Sequence, residues 1–189
     1  MVDQTLRPGR NQSSAMGGPE PPAEARSMSV IVIRNAAPDD AATIVRVMIE
    51  TKQASTIGPL DPHDLDADFW LERWRVYIAA GSKAQYAKGD GSCIIATIDG
   101  NGVGFAAWHH TSRWDCDAEL QSIYVLPHAQ RRGIGTRLFE TVLGRLQADG
   151  SRSLCVGYAP DNPYKRFYAK HGAVEIEPHW AVWRSLRSI

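Results

Sequence analysis

Cysteine is scarce in this chain: three in 189 residues, Cys93, Cys116 and Cys155. An odd number without close Cys/His pairs argues against a disulfide framework and against a metal centre. Charge of one sign is also missing, since 21 Lys plus Arg balance 21 Asp plus Glu. A neutral molecule offers no overall field to nucleic acid or to an anionic membrane, so any anion recognition must be local. Long apolar runs are absent too. None approaches the roughly 18 residues that a membrane span needs, and the N-terminus lacks the apolar core of a signal peptide. No internal repeat is visible. The expectation from these absences is a metal-free protein of the cytoplasm with neither nucleic acid nor membrane as partner.

What is present is ordinary for a globular domain: 43% hydrophobic and 22% charged residues in a length suited to one domain. Residues 1–27 differ. "RPGRNQSSAMGGPEPPAEARS" holds few groups able to build a core, and reads as a disordered leader or an expression extension. Met28 then opens a single domain over 28–189.

The punctuation of that domain is legible. A β-like run covers 30–33. Pro38, followed by Asp39 and Asp40, suits a first helical turn, with Ile44, Val47 and Met48 on one face. A second helix starts near Asp66 and carries Trp70, Trp74, Tyr77 and Ile78 on one stripe. Strands follow over 93–98, 103–110 and 118–126, the first two joined by the "DGNG" turn. A helix from Ile134 repeats Leu138, Val142 and Leu146 at four-residue intervals, and Asp149-Gly150 stops it. A strand over 153–159 leads to a short helix, with Asn162 as N-cap, Pro163 as first residue and Gly172 as terminator. Closing strands cover 173–177 and 180–187. The fold class is mixed α/β (α+β), a largely antiparallel central sheet flanked by about four helices.

The segment "QRRGIGT", Gln130 to Thr136, lies between a strand ending Val125-Leu126-Pro127 and the helix from Ile134. Backbone N–H groups at a helix start have no intrahelical acceptor, and the helix dipole adds positive charge. Gly133 and Gly135 allow close approach of an anion, and Arg131 and Arg132 add local charge. A pyrophosphate is the natural guest. The alternative is that both glycines only shape the turn. The segment is neither a P-loop nor a dinucleotide fingerprint.

Gln130-x-x-Gly133-x-Gly135 after that strand resembles the acyl-CoA-binding motif of the GNAT family of N-acyltransferases. A second block agrees: Asn162-Pro163, then Phe167-Tyr168, then Gly172-Ala173. Ala173 departs from the family's usual aromatic. The resemblance spans about residues 29–187 and implies a GNAT-like sheet with two strands splayed apart. It implies that amides from Arg131 through Arg132, Gly133, Ile134 and Gly135 to Thr136, beside Gln130, cradle the pyrophosphate of acetyl-CoA. The pantetheine arm would lie along Ile123, Tyr124 and Val125 and touch Asn162. It also implies direct acetyl transfer to an amine in a ternary complex, and it admits a homodimer through the edge of the closing strands.

The chemistry sets the remaining roles. An alkylammonium has a pKa near 10, so only about one molecule in a thousand is a free nucleophile at neutral pH. The thioester carbonyl needs donors, here a backbone N–H on 123–125, and the departing thiolate needs a proton. Tyr168, at the family's tyrosine position, is the candidate acid; Tyr164, four residues earlier, reads as packing. Glu119 is the candidate base, at the family's offset before Val125. Simple alternation places Glu119 on the face of Gln121, Ile123 and Val125 unless a bulge intervenes. His109 and His110 are rival bases that read more readily as surface. Cys155 allows an acyl-cysteine, though a buried cysteine is commonly apolar filler. The acceptor amine, on a small molecule or a peptide, is unidentified. "TIGPLDPHDLDADFW", with four aspartates, and "HHTSRWDCD", with Trp114, would rim its site. A domain that binds acyl-CoA without turnover, as a sensor or partner-binding module, is the alternative function.

Overall fold

The computed structural model describes residues 30–55, 60–80, 92–159 and 162–188. The leader expected at 1–27 lies outside them. Seven strands form one sheet: β1 Ile31–Asn35, β2 Ser92–Ile98, β3 Asn101–His110, β4 Ala118–Val125, β5 Leu154–Gly157, β6 Val174–Glu177 and β7 Trp180–Trp183. Their spatial order is β1-β2-β3-β4-β5-β7-β6, and every pairing is antiparallel except β4 with β5. The helices are α1 Ala41–Ser55, α2 Ala67–Ala80, α3 Ile134–Ala148 and α4 Lys165–Lys170. No described helix is long and apolar enough to cross a membrane.

Local chemistry explains the element boundaries. Pro38–Asp40 is a 3-10 turn ahead of α1. The Asp40 carboxylate accepts from the Ala37 N–H at 2.7 Å and binds both terminal nitrogens of Arg34, at 2.6 and 2.8 Å. That fork holds β1 to the helix start and pulls the Asp40 carboxyl below its usual range. Asp66 caps α2 by accepting from Phe69 N–H at 2.9 Å. The β2–β3 turn is Asp99-Gly100, with φ of 49° and 82°, the left-handed pair that a tight hairpin requires. Gly150, at φ 85°, ends α3.

The helices sandwich the sheet. On one face, Trp74 of α2 meets Phe105 of β3 edge-on at 5.2 Å, and the Tyr77 hydroxyl donates to the Trp108 carbonyl at 2.9 Å. On the other, Gly104 lets α3 approach: a Cβ there would lie 2.9 Å from the Tyr124 carbonyl oxygen and 3.4 Å from Leu138. Ile134, Leu138, Phe139, Val142 and Leu146 of α3 are almost wholly buried. Truncating any of the larger ones to alanine would cost about 2–5 kcal/mol, so this face anchors the loop that precedes α3.

Strand β4 is irregular in two respects. Ala107 pairs with Ser122 but Trp108 pairs with Leu120, which leaves Gln121 as an extra residue, a β-bulge. The pairing of β4 with β5 covers only Ala118–Leu120 against Leu154–Val156. Beyond Leu120 no residue of β4 pairs with β5, and residues 121–125 are half-buried.

Candidate active site

The turn Pro127–Ala129 ends β4 and delivers Gln130 to the loop. Arg131 has φ 62° and Gly133 has φ 78°. The first helical hydrogen bond of α3 runs from Arg137 N–H to the Gly133 carbonyl at 3.0 Å. Among the described residues, the backbone N–H groups from Arg131 to Thr136 meet no acceptor. Successive amides in such a turn make an anion-binding concavity, and the helix dipole reinforces it. Arg131, Arg132 and Gly133 are exposed. The two glycines differ in kind. A Cβ on Gly133 would touch nothing, so its φ alone calls for glycine; a Cβ on Gly135 would rest 3.7 Å from Phe167 and 3.9 Å from Val125, an ordinary contact.

Gln130 Nε2 donates to the Val125 carbonyl at 2.9 Å, and Thr51 Oγ1 donates to the same oxygen at 3.3 Å. The Tyr164 hydroxyl stands 3.3 Å from Gln130 Nε2 and 3.4 Å from its Oε1. Tyr164 is therefore an exposed polar contact, not the packing residue expected. Asn162 also departs from expectation. Its Oδ1 accepts from Tyr164 N–H at 2.8 Å, an Asx turn ahead of a helix that starts only at Lys165. Asn162 fixes the entry to α4 without being its N-cap.

Tyr168 is buried, 8% exposed. Its ring stacks on Tyr158 at 5.7 Å and 15°, and meets Trp183 edge-on at 6.1 Å. Burial, with Tyr124 and Tyr158 adding to it, pushes the Tyr168 hydroxyl far above the ordinary phenol range. Burial and the Asp64 carboxylate push Tyr124 up to about 12. Both phenols are proton donors at any physiological pH.

The bulge at Gln121 reverses the alternation. Register across β3 puts Glu119, Ser122 and Tyr124 on the face of His109, Ala107 and Phe105, and puts Ile123 and Val125 on the other. Glu119 Oε2 lies 3.3 Å from Arg113 Nε and 3.8 Å from His109 Nε2. His109 is buried, not a surface residue. His110 Nδ1 faces the Asp117 carbonyl at 3.3 Å. Cys155 is wholly enclosed beside Cys116 and Val182; burial raises its thiol to about 12, which removes it as a nucleophile at neutral pH.

Gln130 thus joins the loop to Val125 and to Tyr164, Asn162 turns the chain into Tyr164, Tyr168 packs on Tyr158, and Glu119 lies in the short stretch where β4 still pairs with β5. Two residues at this site, Arg113 and Tyr158, gave no signal in the sequence, while His109, expected as a rival base, stands beside Glu119. The turn signals around "TSRWD" gave no sign that its arginine would return to Glu119.

Comparison with known proteins bears on the fold. Residues 89–172 match the family model of an acetyltransferase (GNAT) domain. A protein from Desulfovibrio desulfuricans assigned to the GNAT acetyltransferases aligns at a TM-score of 0.64 and 21% identity, over 83% of this chain and 99% of that one. The PaiA N-acetyltransferase of Thermoplasma acidophilum, solved with coenzyme A, gives 0.64 at 17% identity, over 81% of this chain and 97% of that one. A GNAT-family acetyltransferase of Brucella melitensis, solved with acetyl-CoA, gives 0.59 at 20%, over 82% and 88%. At such identities the structural likeness is one of fold. The matched segment is similar to a GNAT acetyltransferase domain, and the described residues take the fold of these GNAT structures.

Proposed function

We propose that this protein is an acetyl-CoA-dependent N-acetyltransferase that moves the acetyl group directly to a primary amine of a small molecule or peptide. The observation that carries the reading is the run of amides from Arg131 to Thr136 without acceptors, opening beside the parted strands β4 and β5. An anion fits there without displacing any protein contact. The solved Thermoplasma and Brucella proteins hold coenzyme A and acetyl-CoA on the same fold.

Acetyl-CoA supplies the activated acetyl group. The loop amides, with Arg131 and Arg132, hold its pyrophosphate, and Asn162 and the open edge of β4 hold its pantetheine arm. Glu119 accepts a proton from the incoming ammonium, directly or through one water. A backbone N–H on 123–125 faces the carbonyl oxygen. Tyr168, a phenol that is protonated at neutral pH, donates a proton to the departing sulfur. A cytoplasmic setting suits three cysteines that are free thiols.

Thiol release during incubation with acetyl-CoA and a panel of primary amines tests the reading. Steady release that depends on the amine supports it. Tight acetyl-CoA binding with no amine-dependent release contradicts it, and leaves a binding module instead.

A further inference from the structure

We infer that the acceptor is an α-amino acid whose carboxylate is read by Arg113 while its amine meets Glu119. This rests on the N-acetyltransferase reading above and names its substrate class. Arg113 opens the turn Arg113–Asp115 between β3 and β4. The two residues after it, Trp114 and Asp115, hold left-handed φ of 56° and 55°. Neither is glycine, and each such residue costs about 1 kcal/mol, so the surroundings must impose the shape. They do so through several bonds. Arg113 N–H donates to Thr111 Oγ1 at 3.2 Å, Cys116 N–H to the Arg113 carbonyl at 3.0 Å, and Arg184 to the Trp114 carbonyl at 2.6 Å.

The result is an arginine held on two sides. Its Nε pairs with Glu119 at 3.3 Å, and its guanidinium lies 4.6 Å from the centre of the Trp180 ring. Trp180 in turn lies over Gly157, where a Cβ would come within 3.0 Å of the ring. The guanidinium plane is thereby restrained. Among the described residues its terminal nitrogens donate no hydrogen bond, and its side chain is 44% exposed. A guanidinium restrained through its Nε, with its terminal nitrogens uncommitted among the described residues, matches a carboxylate bidentately.

An α-amino acid carries ammonium and carboxylate one carbon apart. Arg113 and Glu119 are the opposite pair in direct contact, so the two dipoles are complementary. A plain amine would use Glu119 alone, and a polycation would be repelled by Arg113. The exposed Trp114 ring, 6.1 Å from that of Trp180, offers the side chain an apolar wall. In the transfer the N–C bond forms as the C–S bond breaks. Of the two protons the ammonium gives up, Glu119 takes the first to be removed; overall one ends on sulfur by way of Tyr168 and one is released.

The test compares proteinogenic L-amino acids with their amides and decarboxylated amines, using thiol release by the full-length chain with acetyl-CoA. The expected result is at least one amino acid favoured tenfold or more in kcat/KM over its amide. The amide's amine is the less protonated at neutral pH, so this preference cannot come from free-amine supply. Arg113→Gln should bring that ratio near one, chiefly through KM for the acid, and Arg113→Lys should recover part of it. Amides and amines turned over as well as the acids, or a ratio unmoved by Arg113→Gln, would overturn the inference and leave the N-acetyltransferase reading standing. Absence of turnover with any amine would overturn that reading and this inference with it. The wild-type ratio decides even if a variant does not fold.

Discussion

Gln130 and Val125 are joined by a 2.9 Å hydrogen bond from the glutamine side-chain amide to the main-chain carbonyl. The bond ties the amide loop to the last residue of β4, where that strand has already left β5. The loop is thereby tethered to the strand edge. Whatever anion the loop grips is placed beside that edge.

Replacing Gln130 with Glu tests that coupling. A carboxylate cannot donate to Val125, and it adds a negative charge beside the loop. Loss of the bond should cost about 1 kcal/mol of stability, and acetyl-CoA affinity should fall by more than Gln130→Ala produces. Calorimetry on wild type and both variants measures it; wild-type affinity in Gln130→Ala would show that Gln130 does not orient the loop.

The two loop glycines should respond differently. Gly133→Ala forces a side chain into left-handed backbone and should cost about 1 kcal/mol. Gly135→Ala should be mild, because its Cβ meets Phe167 and Val125 only at ordinary contact distance. Gly135→Asp adds a negative charge to the helix start and should weaken acetyl-CoA binding tenfold or more while the protein stays folded, as read by calorimetry and circular dichroism.

Tyr168→Phe keeps the stack on Tyr158 and removes only the hydroxyl. Turnover should fall by about 10–100-fold with little change in acetyl-CoA affinity. Glu119→Gln should lower turnover at neutral pH by a similar factor, and the loss should shrink as pH rises and the acceptor supplies its own free amine. Steady-state kinetics across pH distinguishes the two variants.

Asp117 gives a pH-dependent stability. Its carboxylate accepts from Arg152 N–H at 2.7 Å, Ser153 N–H at 3.1 Å and the Ser153 hydroxyl at 3.0 Å, and these bonds lower its pKa. A depressed carboxyl stabilises the folded state above its unfolded pKa, near 3.9, and that contribution disappears as pH falls through the folded value. Asp117→Asn should therefore cost about 1 kcal/mol at pH 7 in this solvent-screened position. Urea denaturation should show the difference from wild type closing below about pH 4.

Much of the fold was legible because pattern and punctuation coincided. The apolar four-residue repeat of α3, bounded by Gly133 and Gly150, read to within a residue, and all seven strands read with no edge displaced by more than four residues. Reading failed where a side chain bonded its own backbone or a strand slipped register. Asn162 looks like a helix cap in sequence, yet it closes a separate turn. Glu119 was unplaceable by alternation because one unpaired residue, Gln121, exchanges the faces of β4. Arg113 was silent because its loop enters left-handed backbone at Trp114, a residue type that announces no such turn.

The most direct measurement is a titration of isotope-labelled protein with coenzyme A, followed through its backbone amide resonances. The N–H signals of residues 131–136 should shift furthest and saturate together, with dephosphorylated pantetheine leaving them in place. Saturable binding that moves other amides and leaves 131–136 unchanged would contradict that expectation.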